Sequence, residues 1–284
     1  MPGPARHIAL LVNPKAGSGR SLPLAHQLVQ RLQQMSVEIT RFDAVWPTEW
    51  SAFTDIWLVG GDGTFNFFIN HYPECSLPVT FFSGGSGNDL YWFLYQQKSW
   101  KDVLEIGLSS SCRQIDVGRC NGRYFLNGLG IGFDGEVAHD LMEKNKQLGS
   151  ASYWSAVLRQ LIRYREKDFE ISWGNEVVSG KWLFLNFMNG SRSGGGFWVA
   201  PEAKLDDGKL EVIFAHPLKF WNRIRYLPVI EKGRHLHLPV VDYFQATAIT
   251  VIAGEVVPAH LDGEYFAAER FEISLLPGKL SVRC

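Results

Sequence analysis

Apolar runs alternate with amphipathic segments through the first part of this 284-residue chain. Runs at 7–13, 37–42, 55–60 and 79–82 predict strands, and the spacing of Leu28, Val29 and Leu32 predicts a helix over 24–35. Segments 64–71 and 88–97 also have helical character. This alternation predicts a parallel, doubly wound sheet whose ligands bind at the carboxyl ends of the strands.

The pattern changes near residue 110. From Cys112 onward, runs rich in Val, Ile, Phe and Trp are bounded by Gly, Asp and Pro, and they predict strands at 181–188, 210–215, 247–252 and 271–276. Helical segments interrupt them at 136–165, with a break at Gly149, and after Pro217. We therefore predict an α/β domain over residues 1–110 and a mainly antiparallel β-sandwich over 111–284. A return of the last residues to the first domain stays open.

A glycine-rich segment, Gly-Gly-Asp-Gly-Thr-Phe-Asn at 60–66, directly follows a predicted strand. Glycines let backbone N–H groups approach phosphate oxygens, and a helix that begins near Thr64 favours negative charge at its N-terminus. Asp62 would repel bound phosphates unless a divalent cation or a proton transfer lies between them, so the segment favours metal-assisted phosphoryl transfer. The alternative is a tight strand-to-helix turn capped by the aspartate.

Two more polar, glycine-rich loops follow predicted strands. One is Asn-Pro-Lys-Ala-Gly-Ser-Gly-Arg at 13–20, and the other is Ser-Gly-Gly-Ser-Gly-Asn-Asp at 83–89. Neither has the residue order of a Walker A loop, and each alone is explained equally well as a turn, or as a helix cap at Asn88. Three such loops at one edge of a sheet favour a phosphate-binding crevice.

Acidic residues cluster at two turns in the β-rich part. Asp206 and Asp207 precede Gly208, where a carboxylate and nearby backbone carbonyls could hold a hard cation. Asp262 and Glu264 flank Gly263, and either could accept a proton from an attacking hydroxyl. An ordinary Asp-Gly hairpin turn is the alternative at both places.

Composition narrows the classes of partner and compartment. A formal charge of −1 and a pI near 6.7 give no electrostatic footprint for nucleic acid. Four cysteines without a CxxC spacing indicate a reducing cytoplasm. The N-terminal residues lack a signal-peptide core, and no run of 18 apolar residues is present, so we expect only peripheral membrane contact.

Aromatic residues stand beside basic ones at one place in the second part, where Phe220 and Trp221 precede Arg223 and Arg225. These residues and the aromatic run at 91–95 could form an apolar slot or a membrane-facing rim. Packing in the core is the alternative use of most of these side chains.

Taken in order, the motifs resemble the diacylglycerol kinase catalytic family over nearly the whole chain. They are Asn-Pro-x-x-Gly at 13–17, Gly-Gly-Asp-Gly-Thr-x-Asn at 60–66, Gly-Ser-Gly-Asn-Asp at 85–89, Gly-Ile-Gly-Phe-Asp at 130–134, Gly-Gly-Gly at 194–196 with Ala-Pro at 200–201, Asp-Asp-Gly at 206–208 and Asp-Gly-Glu at 262–264. The Gly-Gly-Asp-Gly-Thr element is shared with NAD kinases and phosphofructokinases, whereas the late acidic elements sharpen the match to lipid kinases.

The resemblance implies a kinase that uses ATP and Mg²⁺ to phosphorylate a lipid hydroxyl at a membrane surface, most simply that of diacylglycerol. It implies ATP binding by Asn13, Pro14, Lys15, Ala16, Gly17, Gly60, Gly61, Asp62, Gly63, Thr64, Asn66 and Ser86. Ser86 stands where the family has a threonine that contacts the nucleotide. The connection from Thr40 to Asp55 is shorter than the helical connection usual in the family. The contacts to the adenine ring of ATP therefore do not follow from the resemblance.

The resemblance also implies a magnesium site and a general base. The metal ligands are the Asp207 side chain and the backbone carbonyls of Lys204 and Lys209, in a site that is partly structural. The base is Glu264, with Asp262 as its acidic partner, and Asp62 is the catalytic carboxylate near the phosphates.

Alternative acceptors and an alternative class stay open. A sphingoid base as acceptor would require much the same catalytic groups as a glyceride. An NAD kinase would share the Asp62 loop but would not need the acidic turns at 206–208 and 262–264, and a nucleotide-binding regulator without turnover would keep the same fold. The sequence leaves the oligomeric state undecided, a homodimer included.

Overall fold

The computed structural model of the chain describes residues 6–43, 45–143 and 149–284. The chain divides into two compact units. The first comprises residues through Ile115 together with Gly278–Cys284, and the second is Asp116–Pro277. The division after Ile115 falls within strand β5 (Cys112–Cys120).

Four parallel strands form the sheet of the first unit. They are β1 (His7–Val12), β2 (Glu38–Asp43), β3 (Asp55–Gly60) and β4 (Val79–Ser83), in the order β4-β3-β1-β2. Every residue of β3 is buried, as expected for the inner strand of a parallel sheet covered on both faces. The prediction of a doubly wound α/β architecture is confirmed.

Helices alternate with these strands. They are α1 (Ser21–Gln34), α2 (Asp62–His71), α3 (Asp89–Tyr95) and α4 (Trp100–Ser109), with a short 3₁₀ turn at Ala16–Gly19. Helix α4 was not predicted, although its start carries a capping box. The Ser99 hydroxyl accepts from the Asp102 N–H, and the Asp102 carboxylate accepts from the Ser99 N–H, which satisfies two N-terminal donors.

The end of the chain is fixed to the first unit by a buried ion pair. Arg283 lies at the end of β14 (Glu264–Arg283), and its Nε is 2.6 Å from Asp55 Oδ1. The same guanidinium donates to the Ser110 carbonyl at 2.6 Å, and the Arg283 carbonyl accepts from the Tyr95 hydroxyl at 2.8 Å. These contacts hold Val282 beside Val79 of β4, in a parallel pairing.

Arg283→Met is expected to lower the free energy of unfolding by about 3 kcal/mol, because it leaves the Asp55 carboxylate buried without its cation. Urea denaturation followed by circular dichroism measures the change. Arg270→Met is the matched control, since Arg270 pairs with Glu272 on the surface and such pairs contribute about 1 kcal/mol or less. Equal losses in the two variants would show that the buried pair does not anchor the chain end.

Antiparallel strands build the second unit. The main path is β12-β11-β10-β7-β13-β14, and further pairs join β8 to β13, β8 to β9 and β5 to β6. The strands not yet defined are β6 (Arg123–Phe125), β7 (Gly128–Gly132), β8 (Lys167–Trp173), β9 (Glu176–Trp182), β10 (Phe184–Met188), β11 (Leu210–Ala215), β12 (Val241–Ala246) and β13 (Ala248–Leu261). The helices are α5 (Phe133–Glu143), α6 (Gly149–Arg163) and α7 (Phe220–Glu231). The predicted antiparallel β architecture is confirmed.

Strand β13 pairs with different strands along its length. Its first half pairs with β8, its last three residues pair with β7, and the register against β14 shifts between Ile252 and Val257. An irregularity of this kind bends a strand and lets it pass from one sheet layer to another. Buried apolar residues from these strands, such as Leu129, Val251 and Phe271, form one core cluster.

One predicted strand was wrong. The run 181–188 is two strands, because the chain changes partners at Leu183. Trp182 pairs with Lys167 of β8, whereas Phe184 pairs with Gly132 of β7 and with Ala215 of β11. Both sets of neighbours bury apolar side chains, so the hydrophobic pattern does not mark the break.

Among the described residues, no helix combines the length and apolar character needed to cross a bilayer.

Candidate active site

The three glycine-rich loops of the first unit follow β1, β3 and β4, which are adjacent parallel strands, so the loops meet at one edge of the sheet. Their backbones touch: the Gly84 N–H donates to the Gly60 carbonyl at 2.7 Å. A Cβ on Gly17 would collide with the Gly84 carbonyl oxygen, and a Cβ on Gly85 would collide with the Gly61 Cα. Glycine is required at these positions because the backbones pack without space for side chains.

Side chains of the first loop fix it to the second. Asn13 Nδ2 donates to Thr64 Oγ1 at 2.9 Å, and Asn13 Oδ1 accepts from the Lys15 N–H at 3.0 Å. Pro14 and Ala16 are half-buried beside these contacts, and Lys15 is exposed. The Thr64 hydroxyl is therefore already bonded to the first loop, and it lies in the first turn of α2.

Arg20, the last residue of the 13–20 motif, joins the first loop to the third, a role that the sequence did not predict. Its Nε donates to the Gly17 carbonyl at 3.0 Å, and its Nη2 donates to the Gly85 carbonyl at 3.0 Å. Ser86 Oγ also accepts from Nη2, at 3.4 Å. The guanidinium places a positive charge among the loops, where it would attract a phosphate group.

Asp62 holds the start of helix α3. Its carboxylate accepts hydrogen bonds from the backbone N–H groups of Asp89 at 3.1 Å and Leu90 at 3.0 Å. Burial raises the pKa of Asp62, and the hydrogen bonds from the N–H groups of Leu90 and Asp89 oppose that shift. The ionised carboxylate is thus incompletely stabilised by its surroundings, which suits a neighbouring cation.

The other residues predicted to bind the nucleotide, or to lie in its loops, are close to these contacts in sequence. They differ in how far their side chains are exposed to solvent. Gly63 is exposed in the first turn of α2. Asn66 is buried in the same helix, and its Oδ1 accepts from Asn70 Nδ2 at 3.2 Å. Asn88 is not a conventional helix cap, because it has a positive φ and its side chain bonds the N–H and carbonyl of Gly85.

In the second unit, Asp262 and Gly263 form the two-residue turn between β13 and β14. Both have positive φ, at 49° and 85°, as a type I′ hairpin requires. The Asp262 carboxylate accepts from three successive backbone N–H groups: Leu126 at 2.7 Å, Asn127 at 2.8 Å and Gly128 at 3.0 Å. The hairpin turn given as the alternative at this position is therefore present, and the proton-accepting role of its acidic residues stays a prediction.

Glu264 is the first residue of β14, half-buried and paired with Leu261 across the turn. The neighbouring His260 accepts a hydrogen bond from the Gly263 N–H at its Nδ1, at 3.2 Å. Burial lowers the pKa of His260 to about 4, so the ring is neutral near pH 7. The turn that presents Glu264 is thus held by a carboxylate on one side and a neutral imidazole on the other.

A polar cluster around Gly130 was not predicted as a site. Asn186 of β10 and His260 of β13 both pair with Gly130 of β7. A Cβ on Gly130 would lie 2.6 Å from His260 Nε2 and 2.9 Å from Asn186 Oδ1. Burial raises the pKa of Asp134 to about 6, while a hydrogen bond from Asn186 opposes the shift. In the sequence, Asp134 stands only as the last residue of the Gly-Ile-Gly-Phe-Asp motif.

Asp134→Asn is expected to stabilise the protein more at about pH 8 than at about pH 4, by about 2 kcal/mol. The folded-state pKa lies above the ordinary value, so the protonated carboxyl stabilises the fold at low pH and this contribution is lost as the pH rises through about 6. Urea denaturation at both pH values measures the difference. Asp168→Asn, at an exposed site, corrects for the general loss of a carboxylate. Parallel pH curves for wild type and Asp134→Asn would contradict the expectation.

The predicted metal turn is held by a second carboxylate. Asp207 Oδ1 accepts from the Lys209 N–H at 3.1 Å, and Asp116 Oδ2 accepts from the Gly208 N–H at 2.8 Å. The side chains of Lys204 and Lys209 are exposed. In the part of the chain that the structure describes, no three His, Cys, Asp or Glu side chains form a metal-binding group. A magnesium ion here would depend on backbone carbonyls and water besides Asp207, which is common for Mg²⁺.

The predicted rim residues separate into buried and exposed side chains. Tyr91 and Tyr95 are buried in the core of the first unit, and Arg223 is buried in the second. Trp221 is 76% exposed, and Arg225 is also exposed. The core alternative therefore holds for the two tyrosines and does not hold for Trp221.

Comparisons with known proteins place the chain in a family. Residues 7–120 match the diacylglycerol kinase catalytic domain, and residues 128–284, more than half of the chain, match the YegS C-terminal NAD kinase beta sandwich-like domain. The diacylglycerol kinase of Bacillus subtilis is 27% identical over 279 residues, which cover 90% of this chain and 89% of that protein.

Solved structures show the same fold. A diacylglycerol kinase from Bacillus anthracis superposes with a TM-score of 0.73 at 19% identity, covering 98% of this chain and 96% of that one. Yeast NADH kinase complexed with NADH superposes with a TM-score of 0.55 at 10% identity, covering 99% of this chain and 83% of that one.

The two matched domains and the arrangement of the glycine loops define a kinase with an alcohol acceptor. The chain belongs to the diacylglycerol kinase catalytic-domain family, as its motifs predicted.

Proposed function

We propose that this protein transfers the γ-phosphate of ATP, with Mg²⁺, to the free hydroxyl of diacylglycerol, producing phosphatidic acid and ADP. The observation that carries the proposal is the backbone packing of three glycine loops at one edge of the first unit's sheet. The lipid acceptor is supported by family membership and by the names of relatives such as the diacylglycerol kinase of Bacillus subtilis.

The glycine loops supply the nucleotide site in this proposal. Their N–H groups and the N-terminus of α2 would bind phosphate oxygens, since both carry partial positive charge. Arg20 and Lys15 add full positive charges on the same loops, and Arg20 also fixes the spacing between the first and third loops. Asn13 and Thr64 keep the first two loops in register.

Two groups of residues suit Mg²⁺. Asp62 has a half-buried carboxylate, and burial raises its pKa, so a cation on the ATP phosphates would stabilise its ionised form. A separate, partly structural Mg²⁺ site would be formed by the Asp207 side chain with the backbone carbonyls of Lys204 and Lys209. Bound Mg²⁺ supplies neutralisation of the charge that develops on the phosphate oxygens.

Glu264 is the proton acceptor in the proposed reaction. The acceptor oxygen forms a bond to the γ-phosphorus, the bond from that phosphorus to the bridging oxygen breaks, and ADP departs with the electron pair. The hydroxyl proton passes to the Glu264 carboxylate. Asp262 keeps the turn in place because its carboxylate binds the N–H groups of Leu126, Asn127 and Gly128.

The test is transfer of radiolabelled γ-phosphate from ATP to diacylglycerol, a sphingoid base and NAD, each with Mg²⁺ or with excess chelator. The lipids are presented in mixed micelles. We expect labelled phosphatidic acid that depends on Mg²⁺. Preferential labelling of the sphingoid base or of NAD would replace diacylglycerol as the acceptor, and ATP binding without transfer to any acceptor would indicate a regulator without turnover.

A further inference from the structure

Helices α6 and α7 of the second unit are fixed side by side by one buried arginine. Arg223, in the first turn of α7, donates to the carbonyls of Leu161 at 3.1 Å and Tyr164 at 3.0 Å, at the end of α6. It also pairs with Glu166 at 2.6 Å and donates to the Leu218 carbonyl at 2.9 Å. Orphan carbonyls at a helix end are thereby satisfied, and the two helix ends are held together.

Around this clamp both helices expose large apolar side chains. On α7, Trp221 is 76% exposed and lies one residue from Phe220, with ring centroids 5.0 Å apart, and Ile224 follows one turn later. On α6, Leu158 and Ile162 are exposed at positions four residues apart, and therefore on one face. Large exposed apolar groups in one region mark an interaction surface. These five residues are the α6–α7 patch.

The patch has a basic border. Arg163 and Arg165 follow Ile162, while Lys219 and Arg225 flank the exposed residues of α7. All four are exposed, and none of them is in the ion pairs found among the described residues. The acidic side chain that follows Arg165, Glu166, is already paired with Arg223. An apolar centre bordered by unpaired cations is complementary to a partner that has an apolar interior beneath a negatively charged surface.

We propose that the α6–α7 patch docks on an anionic phospholipid bilayer, with Trp221 inserted at the level of the headgroups. The inference rests on the proposed function in one respect, because an enzyme acting on diacylglycerol must reach a lipid held in a bilayer. Amphipathic helices with aromatic residues and arginines bind such interfaces through buried apolar area and attraction to anionic lipid. A second copy of the chain fits less well, because a symmetric contact would bring the basic border against itself.

The first experiment measures binding to sedimented vesicles, without nucleotide, of phosphatidylcholine alone or mixed with phosphatidylglycerol. Wild type is expected to bind the mixed vesicles, and Trp221→Ala is expected to weaken this binding about tenfold. Arg225→Ala is expected to weaken binding to the mixed vesicles and to leave the weak binding to phosphatidylcholine unchanged. Val177→Ala, which removes an exposed apolar side chain from β9, is the matched control. Unchanged binding in Trp221→Ala would overturn the proposal.

A second measurement separates docking from catalysis. With a short-chain diacylglycerol dispersed in water, Trp221→Ala is expected to keep wild-type activity, whereas its activity on vesicles falls together with binding. If wild type phosphorylates no lipid but still requires Trp221 for vesicle binding, the proposed function fails and the docking surface stands. If Trp221→Ala converts a dimer to a monomer in analytical ultracentrifugation without changing vesicle binding, the patch is an interface between copies and the bilayer proposal is wrong.

Discussion

Glu264→Gln is expected to lower kcat by about 10²- to 10⁴-fold, the usual contribution of a general base. The amide keeps the size of the side chain and removes its ability to take a proton. Because Glu264 is half-buried at the start of β14 and the turn before it is held by Asp262, the fold should not depend on this charge. The measurement is steady-state phosphorylation of diacylglycerol at saturating ATP, with thermal unfolding as the check on folding.

The matched control for Glu264→Gln is Glu269→Gln on the same strand, where the carboxylate is exposed. It should leave kcat within about twofold of wild type, since surface substitutions away from a site change little. A near-normal kcat in Glu264→Gln would show that Glu264 is not the proton acceptor. A large loss accompanied by unfolding would show instead that the residue supports the β13–β14 hairpin.

Local patterns in the sequence were sufficient for much of the fold. Strand β3 was predicted at its observed bounds, Asp55–Gly60, because an apolar run there leads directly into glycines. The glycine loops could be placed at one sheet edge because parallel strands bring their carboxyl ends together. Helix α4 was missed even though its capping box stands in the sequence, at Ser99 and Asp102.

Other features depend on pairings that no local pattern encodes. Asp62 bonds the start of α3, which lies 27 and 28 positions further along the chain. Asn186 and His260 meet because both pair with Gly130, from strands on either side of it. The sequence shows the glycine but not its two neighbours, so the polar cluster with Asp134 required the strand order.

The sequence pattern also did not predict which aromatic side chains are exposed to solvent. Tyr91 and Trp221 each stand in an aromatic stretch of a helix, yet Tyr91 is 8% exposed and Trp221 is 76% exposed. The difference arises from the neighbours of each helix. Arg223 turns inward to the end of α6, and its position on α7 leaves Trp221 on the outside. A sequence pattern that treats basic residues as surface residues assigns Arg223 to the wrong side.

Asp262→Asn is expected to lower the free energy of unfolding by about 4 kcal/mol, because one carboxylate accepts three backbone N–H groups and hydrogen bonds to a charged group contribute about 1.5–3 kcal/mol each. Asparagine tolerates the positive φ of this position, so the change isolates the carboxylate. Its amide group would set a donor against a donor at one of the N–H groups. Urea denaturation gives the free energy, and amide hydrogen exchange at Leu126, Asn127 and Gly128 should become faster.

Asp207→Asn, measured without added Mg²⁺, is the matched control for Asp262→Asn. Asp207 accepts a hydrogen bond from the Lys209 N–H, so about 1 kcal/mol should be lost. If both variants lost a similar free energy of unfolding, the three hydrogen bonds accepted by Asp262 would contribute no more stability than the one described at Asp207. If Asp262→Asn abolished phosphoryl transfer while stability and exchange rates stayed at wild-type values, Asp262 would be the proton acceptor and Glu264 its partner. The contacts favour the opposite assignment, because an oxygen that already accepts backbone N–H groups is a poor acceptor for a further proton.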